Sequence, residues 1–70
     1  MYIVQCYYSE AGEEPSWRDL NKWFYIYQAE ADLKYCLKMY KKNKTYKWRV
    51  IKREVVHKVT DKIVLVGKNK

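Results

Sequence analysis

The chain is predicted to be a small α+β domain: an antiparallel-rich sheet with one helix packed on one face, in the order β-β-α-β-β. Three observations predict it. An apolar stripe at helical spacing occupies the middle of the chain, the segments on both sides alternate with a period of two, and seventy residues leave room for only one hydrophobic core. The whole length, 1–70, is expected to be a single domain with an acidic loop at 9–16 and a basic tail at 67–70.

Residues 2–8, YIVQCYY, alternate as a strand, with Tyr2, Val4, Cys6 and Tyr8 on an apolar face and Ile3, Gln5 and Tyr7 on a mixed one. The following SEAGEEPS gathers Gly12, Pro15 and three acids and is expected to be a solvated loop. Trp17 to Lys22 admits two readings. Ser16 and Asp19 could cap a short helix, but the surrounding aromatics favour a strand over 18–27 with an irregularity near Asn21, pairing with the first as a hairpin.

From Gln28 the period becomes helical: Ala29, Leu33, Cys36, Leu37 and Tyr40 share one face. Glu30 and Asp32 are expected in its first turn and Lys38, Lys41 and Lys42 in its last, the polarity that the helix dipole favours. Asn43 is the expected stop, in the left-handed region. Beyond Lys44 the period returns to two, with Tyr46, Trp48 and Val50 facing the helix and Lys47, Arg49, Ile51 and Arg53 facing away. Adjacent Val55 and Val56 interrupt the alternation, as a bulge would. Thr60-Asp61-Lys62 reads as a turn before a last strand, Ile63 to Val66. That strand is too apolar for an exposed edge, so it is expected to be covered or to pair with another chain.

Three Trp, eight Tyr and one Phe supply the bulk a short chain needs, and several tyrosines are expected at the rim with their hydroxyls wet. Cys6 and Cys36 are too few for a disulfide scaffold and both fall on apolar faces, so two buried thiols in a reducing cytosol are expected rather than a disulfide or a zinc pair. No cofactor or metal is expected, because a site would need further ligands and His57 lies in a different context. Met1 to Tyr8 does not read as a signal peptide, and no apolar run approaches ~20 residues, so no membrane association is expected.

The net charge of +7 is divided unevenly. Residues 1–32 carry two basic against six acidic side chains, net −4, and residues 33–70 carry thirteen against two, net +11. The basic half should attract an anionic partner, either nucleic acid or an acidic protein surface. Basic and aromatic residues interleave from Lys41 to Arg53, which suits unpaired bases and phosphates. Alternation, however, puts Tyr46 and Trp48 on the side opposite the charges, where they would be core residues. The expected binding residues are Lys41, Lys42, Lys44, Lys47, Arg49, Lys52 and Arg53 with Trp23 and Tyr25. The Gly- and Phe-rich strand motif of an RNA-recognition sheet is absent, the only glycines being Gly12 and Gly67. No catalytic constellation or phosphate-cradling loop is legible either, so the chain is not expected to be an enzyme.

An N-terminal strand, a Trp-containing segment, Ala29-Glu30-Ala31-Asp32-Leu33 opening a helix and Tyr46-Lys47-Trp48-Arg49-Val50-Ile51-Lys52-Arg53-Glu54 as a strand together resemble the small ββαβ orphan proteins of bacteriophages and mobile elements. The likeness covers residues 2–56; the strand at Ile63 to Val66 departs from it. The resemblance implies a stoichiometric inhibitor or modulator of a host polymerase, nuclease or CRISPR effector, acting in the bacterial cytoplasm on a host protein or protein–nucleic acid complex. Direct RNA or single-stranded DNA binding is the alternative. A monomer and a homodimer paired through the C-terminal strand are both compatible with the sequence.

Overall fold

A computed structural model describes residues 1–43 and 45–67. Four strands, β1 (Tyr2–Tyr8), β2 (Ser16–Trp23), β3 (Lys47–Val55) and β4 (Val59–Gly67), form one antiparallel sheet in the order β2-β1-β3-β4. A single helix, α1 (Ile26–Met39), lies across one face. The expected fold class and element order hold, and the strand reading of residues 17–22 is the right one.

Alternation decides the faces. Val4 and Cys6 of β1 and Trp48 and Val50 of β3 meet Ala29, Leu33 and Cys36 of the helix, and all seven are buried. Cys6 and Cys36 are free thiols within this one cluster. Burial pushes both thiol pKa values up to about 11, since a thiolate there would lose its hydration. Gly67 ends β4 beneath the helix. A Cβ there would stand 2.8 Å from that of Trp48 and 3.2 Å from Leu33 and Leu37, so only a residue without a side chain lets the strand approach so closely.

Several boundaries differ from expectation, each for a local reason. α1 starts at Ile26, two residues early, because the Gln28 side chain accepts a hydrogen bond from the Tyr25 backbone N–H at 3.2 Å and so stands in for a conventional cap. Consequently Glu30 and Asp32 lie beyond the first turn, which holds no acid. The helix stops at Met39 rather than Asn43. Tyr40 leaves helical geometry at φ −111°, ψ 23° as its ring stacks on Trp48, and among the described residues only Gly12 has a positive φ. Lys41 and Lys42 therefore sit in the turn beyond it.

Thr60-Asp61-Lys62 is not a turn either. The reversal falls at 56–58, and Asp61 pairs across the strands with Arg53, whose guanidinium gives it a reason to be in a strand. One irregularity falls at Leu20, opposite the Val4–Gln5 step and next to Asn21, where one was expected; the other falls at Val64, opposite Val50–Ile51, rather than at Val55–Val56. β4 is an edge strand that is half covered. Val64 and Leu65 pack on the core, while Ile63 and Val66 are exposed.

Candidate functional site

Among the described residues no element covers the sheet face away from α1, yet Ile3 and Ile51 on it are 0% and 1% exposed. They form a cross-strand pair on the two central strands. Around them runs a chain of polar contacts that reaches all four strands. Arg49 Nε donates to Gln5 Oε1 at 2.7 Å, and Gln5 Nε2 donates to Asp19 Oδ1 at 2.7 Å. Arg53 then donates to Asp19 Oδ2 at 2.8 Å and, through Nε and a terminal nitrogen, to both oxygens of Asp61 at 2.7 and 3.0 Å.

This chain explains why Gln5 can be buried at 4% exposure: its amide is satisfied at both ends. The Gln5 amide, followed by the Arg53 guanidinium, holds the Asp19 carboxyl below the usual carboxylate range. Arg53 does the same to Asp61, and the guanidinium pKa of Arg53 rises in return. A cation held between two carboxylates has little charge left to offer a partner. Arg53, expected as a binding residue, is instead a tie across the sheet.

Arg49 and Lys47 are different. The Arg49 guanidinium lies 3.9 Å from the Trp17 ring centroid, and Lys47 Nζ lies 5.5 Å from that of Tyr7. The two rings touch at a centroid distance of 5.3 Å. Neither cation has an acidic partner among the described residues. Beside them the open face turns apolar towards the hairpin of β3 and β4, where Val55, Val59, Ile63 and Val66 are 54 to 69% exposed. The result is a cationic, aromatic end and an aliphatic edge joined by a neutralised middle.

The remaining expected site residues do not join this face. Trp23 turns to the helix side, where its Nε1–H donates to Asp32 Oδ2 at 2.9 Å. Tyr25 leaves the sheet to precede α1 and stacks on Tyr27, both exposed. Lys52 is on the helix side beside Glu54, 3.2 Å away. Lys41 and Lys42 are exposed past the helix, and Lys44 lies outside the described residues. Trp17, Gln5 and Asp19 belong to the site and were not expected there, whereas Tyr7 lies on the uncovered face as alternation along β1 implies. Gln5 follows from the same alternation on β1, whereas Trp17 and Asp19 needed the β1–β2 pairing register, which the 9–15 connection sets and the sequence does not reveal.

Among the described residues no group of three or more His, Cys, Asp and Glu is placed to hold a metal ion, and no helix is long and apolar enough to cross a membrane. On the helix side the indole N–H of Trp48 is buried without an acceptor among the described residues, an arrangement that costs about 1–3 kcal/mol.

Fold and site together define a small one-helix sheet with an uncovered face whose charges are partly neutralised. No protein-family model matches the chain, and no curated protein or solved structure matches it either.

Proposed function

We propose that this is a non-enzymatic binding protein of the bacteriophage or mobile-element kind, which docks on a host machine that handles nucleic acid and inhibits or modulates it. A CRISPR effector, a polymerase or a nuclease in the bacterial cytoplasm would be such a target. The observation that carries the reading is the composition of the open face: an Arg–Trp and Lys–Tyr cluster on one side and exposed valines and isoleucine along the β3–β4 side. Arginine and aromatic anchors beside an apolar strip suit a protein partner. Bare nucleic acid would draw on the charges and leave the apolar strip uncovered.

The test is capture from a nuclease-treated bacterial lysate, identification of the captured protein, and reconstitution with the purified component. Binding is expected to survive nuclease, and Lys47→Glu with Arg49→Glu, or Ile63→Asp, is expected to weaken it at least tenfold. A captured component that is indifferent to all three substitutions, or that needs nucleic acid to be retained, sinks the reading.

A further inference from the structure

Beyond the end of α1, Cys6, Tyr8, Leu20, Tyr40, Tyr46 and Trp48 line a pocket of about 220 Å³ on the helix side of the sheet. Its walls are mostly rings. Tyr40 stacks on Trp48 at 5.5 Å, Tyr46 meets Trp48 edge-on at 6.3 Å, and Tyr8 leans on Tyr46 at 5.5 Å. The volume falls short of the ~300–1,000 Å³ of sites for drug-sized molecules, so one flat ring system is what it suits.

Two further features narrow the ligand. Trp48, 2% exposed, contributes an indole N–H that has no acceptor among the described residues. A hydrocarbon ring would leave that donor unpaired, whereas a ring bearing a carbonyl or a pyridine-like nitrogen would satisfy it. The N–H is sealed in the free protein, so an entering ring must displace a side chain at the mouth, and Tyr40, 49% exposed, is the most exposed ring that lines it. Lys41 and Lys42 directly follow Tyr40 and make no ion pair among the described residues. Aromatic boxes can also hold alkylammonium ions, but the two lysines that follow Tyr40 in the chain disfavour one.

We propose that this pocket takes one unpaired nucleobase. The base stacks among Tyr40, Tyr46 and Trp48, accepts a hydrogen bond from the Trp48 indole, and leaves its phosphate to Lys41 and Lys42. The source is a free nucleotide or a single strand, which share this chemistry. The pocket lies on the opposite side of the sheet from Arg49, so it stands or falls independently of the docking reading.

The experiment follows the indole N–H resonances of the full chain by ¹⁵N-correlated NMR during titration with uridine monophosphate and, separately, a short oligouridylate. A saturable shift of the Trp48 indole, with those of Trp17 and Trp23 unmoved, is expected from at least one probe. Saturation by the mononucleotide assigns a free nucleotide as ligand; saturation by the oligonucleotide alone assigns a single strand. Tyr40→Ala should weaken binding about tenfold, the loss of one stacking partner, while Tyr40→Phe and Arg49→Glu should leave it unchanged. A Trp48 indole unmoved by both probes overturns the proposal. So does a shift that neither Tyr40→Ala nor the pair Lys41→Glu and Lys42→Glu alters.

Discussion

The two faces of the sheet bury apolar side chains by different means. Under the helix, Val4, Val50 and Trp48 are covered by Ala29, Leu33 and Cys36, and shape complementarity does the work. On the other side Ile3 and Ile51 are buried as completely with no element above them among the described residues, on a face crossed by a hydrogen-bonded chain from Arg49 to Asp61. A helix makes a face insensitive to charge. A polar lattice makes it depend on every donor finding its acceptor.

The sharpest way to break the comparison is on the covered face. Trp48→Ala removes the largest buried ring and is expected to cost about 3–5 kcal/mol, enough to unfold much of so small a domain, as urea denaturation followed by circular dichroism would show. Gly67→Ala, on the same face, adds only a methyl, yet that methyl would meet the Trp48 Cβ at 2.8 Å. It should cost about 1–3 kcal/mol by overpacking, and a melting temperature equal to that of the parent protein would mean β4 does not approach the helix so closely.

On the open face, Arg53→Met keeps the aliphatic stem but leaves Asp19 and Asp61 without their shared cation. Because this group is partly exposed, the expected loss is about 1 kcal/mol. The variant should also change the acid limb. Both carboxyls are held below their ordinary range in the folded protein, so their contribution is fully present above about pH 4 and is lost as the pH falls through the lower folded values. Removing Arg53 should make that limb shallower. An unchanged acid titration of stability would show that the lattice does not hold in solution.

The smallest expected effect concerns the thiols. With pKa values near 11, Cys6 and Cys36 should remain protonated at pH 8 and resist alkylation until the domain opens. Stabilisation from the buried neutral thiols is present below their unfolded value, about 8.5, and is lost as the pH rises towards 11. Rapid labelling of either cysteine under native conditions would contradict the covered face.

Much of this architecture was legible in the sequence. The 3.6-residue stripe from Ala29 to Leu37 and the alternation at Trp48 and Val50 fixed which side of each element is buried, because periodicity is a local property of the chain. Boundaries were less legible. Gln28 capping the start of α1 from within and Tyr40 leaving it to stack on Trp48 both depend on neighbours that no propensity encodes. The site was half visible: Lys47 and Arg49 were placed correctly on the uncovered face, but the basic residues were treated as equally free.

What the sequence determined by itself was the class, ββαββ with one covered face, and the separation of rings from charges along β3, since both follow from side chains alternating on a pleated strand. What only the tertiary structure decided was which charges cancel. Asp19 lies 34 residues before Arg53 and Asp61 eight after it, and only the strand order β2-β1-β3-β4, with the registers of its two hairpins, brings both carboxylates to one guanidinium while leaving Arg49 on Trp17 without an acidic partner among the described residues.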